Sequence, residues 1–434
     1  MQDETQRRRR IIEALHHGVV PAIGCTEPVS LALAAARAAR LVGGVVEQVE
    51  VRASANLVKN AMAVTVPGTD LPGPAIAAAL GAVCGDPEAG LEVLGRVAPG
   101  DVEQARALVD AGRVDVQLAD GDELLRAEVA VHAGGRSARV CIAGGHTQVV
   151  REELDGRCLV ERPAPAADEV DEHTRLLRSC TLREVHQAAM GVPLEQIAFL
   201  RRAAELNGEL ARRGLGEAPG LGVGARLQAA VESGLDAEGL RSRMVTRSAA
   251  AADARMGGVP LPAMTNSGSG NQGITATMPV VVAAQHVGAD DEQLLRALAL
   301  SHLVALRVHA SLPVLSAFCA AASAGMGAAA GVCHLMGGGY EAVERAVQTM
   351  AGDTVGMVCD GASPGCALKV SSAVSSAHGA VVLALQGQRP AGTCGLVFDR
   401  VEDTIDGLGR MAGQGMAATD REILQIMMGK PDQA

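Results

Sequence analysis

A chain of 434 residues can hold two or three domains and bury a large core. With 48% hydrophobic and 20% charged residues it belongs to the globular class and not the disordered one. The formal charge is −11, and only Lys59, Lys369 and Lys430 interrupt a scattered arginine population, which excludes a nucleic-acid footprint.

Aromatic residues make up 1%, so the core must be built from Ala, Leu, Val and Met, which favours closely approaching helices. No stretch of about 18 residues is apolar enough for a membrane span, so none is expected. The basic run Arg7–Arg10 is followed by no apolar signal core, and reads as the solvated face of a first helix. Ten cysteines without a secretory leader point to reduced thiols in a cytoplasm.

In chain order, residues 4–16 read as a helix that breaks near Gly18 and Pro21. Gly24-Cys25-Thr26-Glu27-Pro28 follows, with Thr26 as N-cap and Pro28 in the first turn of a helix running to Arg40. Cys25 then precedes a helix N-terminus, where free N–H groups favour a thiolate. It reads either as a proton-abstracting or nucleophilic group or as a loop cysteine without a role.

From Val45 the texture changes. Residues 46–51 alternate as a strand, Asn56 to Asn60 and Val64 to Gly68 follow, and 74–83 and 102–111 read as helices. Strands are expected at 114–118, 125–132 and 138–142, the last two joined at Gly134-Gly135. Pro163 to Asp168 has the composition of a linker. The rest reads as almost wholly helical, with glycine-rich breaks at 266–273, 337–339 and 361–365. The expected architecture is α+β. Residues 1–44 belong to a mainly helical catalytic domain completed by 166–434, and 45–165 form an inserted smaller α/β domain.

Asn266-Ser267-Gly268-Ser269-Gly270-Asn271-Gln272-Gly273 interleaves polar side chains with glycines ahead of a helix near Ile274. Such a turn binds a carboxylate or phosphate, though a flexible linker shares the composition. It is not a P-loop, since no Gly-Lys-Ser/Thr closes it, and no buried strand is expected before it. Cys319, Cys359 and Cys366 lie in small-residue surroundings, 40 and seven positions apart. Three thiolates can hold three irons of a 4Fe–4S cluster, or be small buried hydrophobes. Lys59 and Lys369 read as carboxylate contacts, Schiff-base lysines or solvated side chains. His146, His302 and His309 read as ordinary core or surface histidines.

Four stretches together resemble the L-cysteine desulfidase family, itself akin to the iron–sulfur L-serine dehydratases. They are Gly-Cys-Thr-Glu-Pro at 24–28, Asn-Ser-Gly-Ser-Gly-Asn-Gln-Gly at 266–273, Cys-Asp-Gly-Ala at 359–362 and Gly-Cys-Ala-Leu-Lys at 365–369. The resemblance implies a 4Fe–4S enzyme without pyridoxal phosphate that splits L-cysteine to pyruvate, ammonia and sulfide. It implies Cys319, Cys359 and Cys366 as cluster ligands, Cys25 as proton acceptor and 266–273 as the substrate-carboxylate loop. Asn56 and Lys59 join the candidate substrate contacts. The expected partner is a small amino acid, with no nucleic acid and no membrane, and a homo-oligomer is left open. One departure stands out: the family reads Thr-Gly-Arg-Leu-Ser before the first cluster cysteine and Cys-Gly-Cys after it. Here Ser311 to Ser316 carry no arginine and Cys319-Ala320-Ala321 follows. The rivals are the same site acting on L-serine or another β-substituted amino acid, a non-catalytic metal-binding or redox-sensing protein, and a pyridoxal-phosphate enzyme on Lys59 or Lys369.

Overall fold

Valines alternating with charged residues between 48 and 161 need an apolar surface to cover one face, and the chain supplies it with alanine-rich helices. The computed structural model describes residues 2–121, 123–163 and 170–430, with backbone alone for 2–4. The linker expected at 163–168 lies outside the described residues from 164 onward.

The first part of the chain forms α1 (Gln2–Gly18), β1 (Pro21–Ile23), α2 (Thr26–Val42), β2 (Gln48–Ala53), α3 (Ala55–Ala61), α4 (Pro74–Cys84) and α5 (Pro99–Asp110). Strands β3 (Val114–Leu118), β4 (Arg126–Ala133), β5 (Arg136–Ala143), β6 (Val149–Leu154) and β7 (Arg157–Glu161) follow. The sheet order is β3-β2-β4-β5-β6-β7. Only β2 and β3 pair in parallel, because α3, α4 and α5 provide the crossover between them. Val51 sits opposite Val129, and Val129 opposite Val140, so buried valines line up across three strands. Arg126 and Arg139 pair with Glu128 on the other face. The β6–β7 hairpin was not expected, because Arg151, Glu152 and Glu153 mask its alternation.

The apolar face of α2 lies on this sheet and on α4, within one core that includes Leu31, Leu33, Val49, Val129 and Leu80. Ile11, Ile12 and Leu15 of α1 join a second core instead. The two N-terminal helices, grouped together from the sequence, therefore divide between two cores.

That second core is helical. It runs through α6 (Glu172–Ser179), α7 (Leu182–Gly191), α8 (Leu200–Glu217), α9 (Val223–Glu232) and α10 (Leu240–Met256). After β8 (Pro262–Met264) come α11 (Gly270–Val287), α12 (Asp291–His309), α13 (Ala320–Leu335), α14 (Tyr340–Thr354) and α15 (Cys366–Leu385). The chain closes with α16 (Val401–Arg410), a π-turn at Met411–Gly415 and α17 (Ala417–Met428). Helix α13 is central and packs on α11, α12, α14 and α15. Its alanines and glycines let four neighbours approach, and it is buried continuously from Ala321 to Cys333.

Two departures from expectation concern function. A short buried strand, β8, does precede the Asn/Ser/Gly loop and pairs antiparallel with β1, tying Pro21 to Met264. Helix α15 is long and apolar enough to cross a membrane by length and composition, although no such stretch was expected. In this fold α10, α13 and α14 pack against it.

Candidate functional site

Four helices begin at one cavity. Cys25 immediately precedes α2, Ser269 precedes α11, Cys319 precedes α13 and Cys366 opens α15. All four residues line the same cavity, of about 110 Å³. Helix N-termini present unpaired N–H groups and the positive end of the macrodipole, so their convergence favours anionic occupants.

Backbone pairing brings the three distant cysteines together. The Cys359 N–H donates to the Ala317 carbonyl at 2.7 Å and the Cys319 N–H to the Met357 carbonyl at 3.0 Å. Phe318 thereby faces Val358 in a single antiparallel bridge. The loop then turns at Gly361, whose φ is +95°. A Cβ at that position would stand 2.6 Å from the Lys59 carbonyl, so only glycine fits. Seven residues after Cys359 the chain re-enters a helix at Cys366. Lys369, one turn further on, bonds the Val358 carbonyl at 2.7 Å and pairs with Asp360, fastening this helix to the loop.

The three thiols suit soft-metal chemistry by type and by placement, since Cys319, Cys359 and Cys366 all line the cavity. Burial pushes Cys319 up to about 12 and Cys366 up to about 11, so a bound metal would replace their protons. No three His, Cys, Asp or Glu side chains among the described residues converge tightly enough for one metal ion. Cys319 feels the charges of Cys359 and Cys366, so the three thiols are neighbours, a donor set that by type suits an iron–sulfur cluster.

Cys25 corrects an expectation. It, and not Thr26, is the N-cap of α2, and its sulfur makes no capping bond. The thiol donates instead to Glu27 Oε2 at 3.0 Å. Burial and the neighbouring carboxylate push the Cys25 thiol far up, so it is protonated rather than a thiolate. Burial works against the Glu27 carboxylate, but the His146 ring, the Cys25 thiol, a backbone N–H and Arg255 hold it below the usual range. Thr26 Oγ1 and Asn60 Nδ2 also donate to it, each at 3.1 Å.

The glycine-rich loop splits into two roles. Ser267, Gly268, Ser269 and Asn271 line the cavity. Asn266, Gly270 and Gln272 are buried behind it and do not. Asn266 Nδ2 bonds the His302 carbonyl at 3.0 Å, and Gln272 Nε2 bonds Asn266 Oδ1 at 2.9 Å, so these two amides brace the loop. Lys59 and Asn56 also lie off the cavity wall. Lys59 is 1% exposed, and its ammonium is engaged by Asp420 of α17, away from the cavity wall.

Sequence reasoning missed Glu27, Asn60, His146, Arg255 and His309, all of which line the cavity. Glu27 and Asn60 stood within stretches already singled out. His146 comes from the β5–β6 turn and packs against Gly268. Arg255, at the end of an alanine-rich helix, carried no local signal. Among the described residues, buried atoms of four lining side chains have no protein partner: Asn60 Oδ1, His146 Nε2, Asn271 Oδ1 and His309 Nδ1. Orphaned polar atoms sharing one cavity indicate a polar ligand.

Fold and cavity together define an α+β protein with a thiol-rich, anion-favouring pocket at its helix N-termini. The chain belongs to the serine dehydratase alpha chain family, whose model matches residues 88–425. It is 52% identical over 419 residues to a UPF0597 protein of Chromobacterium violaceum, covering 96% of this chain and 97% of that one. It is 50% identical over 421 residues to the UPF0597 protein YE0448 of Yersinia enterocolitica, covering 96% of each chain. With the UPF0597 protein YhaM of Escherichia coli K12 it shares 49% over 424 residues, 97% of each. The family is named for a lyase, while these relatives' names state no substrate.

Proposed function

We propose that the chain is an iron–sulfur-dependent lyase that cleaves L-cysteine to pyruvate, ammonia and sulfide. The observation that carries this reading is one cavity lined by Cys319, Cys359 and Cys366 together with Cys25 and the Ser267–Asn271 loop. When bound to the three thiolates, a 4Fe–4S cluster supplies an iron without a protein thiolate, a Lewis acid for the departing sulfur. The chain's own residues handle the substrate and its α-proton. Cys25 Sγ receives that proton while passing its own to Glu27 Oε2, to which it is already hydrogen-bonded. Helix N-termini and the loop orient the amino acid in the cavity, and orientation of this kind contributes several kcal/mol. The aminoacrylate released hydrolyses to pyruvate and ammonia. Ten free cysteines fit work in a reducing cytoplasm.

L-serine is the second reading, favoured by the family's name. Against it, Leu312, Pro313, Val314, Leu315 and Phe318 give the cavity an apolar wall, which suits sulfur better than a hydroxyl. The test is anaerobic reconstitution with iron and sulfide, then pyruvate and sulfide release from L-cysteine and L-serine. Equal pyruvate and sulfide from L-cysteine, at higher kcat/KM than for L-serine, supports the first reading. Pyruvate from L-serine alone supports the second, and bound iron without product from either supports a non-catalytic metal-binding role.

A further inference from the structure

Arg255 is a buried cation with no carboxylate in contact, although Glu27 across the same cavity feels its charge. It is 3% exposed, and no carboxylate lies within ion-pair distance among the described residues. Its guanidinium gives Nε and Nη2 to the Gly24 carbonyl at 3.2 and 2.9 Å, and Nη1 to Met256 Sδ at 3.4 Å. A guanidinium has five N–H donors, so two remain without a protein acceptor. Burying a charge in this way is costly unless an opposite charge arrives.

Asn271 meets the same sulfur. Its Nδ2 donates to Met256 Sδ at 3.2 Å, which sets Asn271 beside Arg255 and leaves its Oδ1 unpartnered. Asn271 is 8% exposed and Asn60 7%, and Asn60 Oδ1 is unpartnered too. All three side chains line the cavity. A spare double donor thus stands next to spare acceptors, with the Glu27 carboxylate behind Asn60. An α-amino acid carries the complementary pair on one carbon, a carboxylate and an ammonium.

We infer that Arg255 is the carboxylate anchor of the substrate site, and that Asn271 Oδ1 and Asn60 Oδ1 receive the substrate's ammonium. This rests on the amino-acid reading above and adds the residues that make the cavity selective for a zwitterion. It also supplies the arginine missing between Ser311 and Ser316, from a different helix.

The test uses the full chain, anaerobically reconstituted, and calorimetric binding of three probes that cannot eliminate: L-alanine, L-lactate without an ammonium, and L-alaninamide without a carboxylate. Wild type should bind L-alanine at least tenfold more tightly than either of the others. Arg255→Met should lose at least tenfold for L-alanine and L-lactate while leaving L-alaninamide unchanged. Asn60→Leu should weaken L-alanine and L-alaninamide but not L-lactate. Arg255→Lys keeps the charge and guards against misfolding, and should raise KM for the eliminated amino acid at least tenfold at equal iron content. No L-alanine binding by wild type, or unchanged binding and KM in Arg255→Lys, overturns the inference. Absence of pyruvate from every amino acid, with the binding pattern intact, would sink the lyase reading and leave this assignment standing.

Discussion

Lys59 donates to Asp420, 361 positions further along the chain, and its Nζ also lies 3.4 Å from the Cys359 carbonyl. One buried ammonium therefore joins α3, the cysteine loop and the C-terminal helix. Removing one partner strands a charge where water cannot reach it. Lys59→Met should cost about 3–5 kcal/mol in urea unfolding, whereas Lys59→Met with Asp420→Leu should recover much of that loss. A Lys59→Met chain as stable as wild type would show that the pair contributes nothing.

Gly361 tests the same loop from its other side. With φ at +95° and the Lys59 carbonyl against its α-carbon, Gly361→Ala must shift Cys359 or α3. A destabilisation of about 1–3 kcal/mol and reduced iron retention after reconstitution are expected. Full iron retention would mean that the loop tolerates displacement.

Thiol deletion separates ligands from bystanders. Cys319→Ala, Cys359→Ala and Cys366→Ala should each lose bound iron and labile sulfide, because each supplies a donor to the cavity. Cys333→Ala is the control, since Cys333 is buried in α13 among apolar residues away from the cavity wall. Equal iron loss in the control would remove the distinction.

Cys25→Ser should keep the iron content and visible absorbance of wild type, yet lose turnover, since a hydroxyl is a far weaker acid than a thiol and cannot pass its own proton to Glu27 as it takes the α-proton. Pyruvate formation at the wild-type rate would assign the proton transfer elsewhere.

His302 predicts a pH dependence. Burial lowers it from 6.5 to about 3, and it sits between Asn266 Nδ2 at 3.1 Å and Thr277 Oγ1 at 3.0 Å. The unfolded chain binds a proton here below pH 6.5, and the folded chain does not until about pH 3. Stability therefore falls as pH drops through that window, by about 2 kcal/mol between pH 7 and 5 from this group. Unfolding of His302→Gln at both pH values should lack that share of the loss.

How much of this was legible beforehand differs between elements. The strands at 114–118 and 126–143 and the long helices follow from hydrophobic period, which a single sequence shows directly. The β6–β7 hairpin does not, because Arg151, Glu152 and Glu153 interrupt the alternation of β6, and β7 is a charged edge strand. In the site, Cys25, Cys319, Cys359 and Cys366 stood out by residue type and by motif. Arg255 could not, since its place on the cavity wall beside Gly24 and Met256 comes from a helix far along the chain and appears only in three dimensions. The partner of Lys59 was hidden for the reverse reason: a rare lysine beside polar residues gave no hint of Asp420.

The Lys59–Asp420 brace also sets an order of events during biosynthesis. The thiols are translated by residue 366, but the strut behind their loop arrives only with residue 420. A chain halted between those points would own all four cavity thiols yet lack the backing behind the Cys359 loop. On the proposed reading, metal retention thus waits on α17, and truncations before Asp420 should yield apo-protein even with all four cavity cysteines intact.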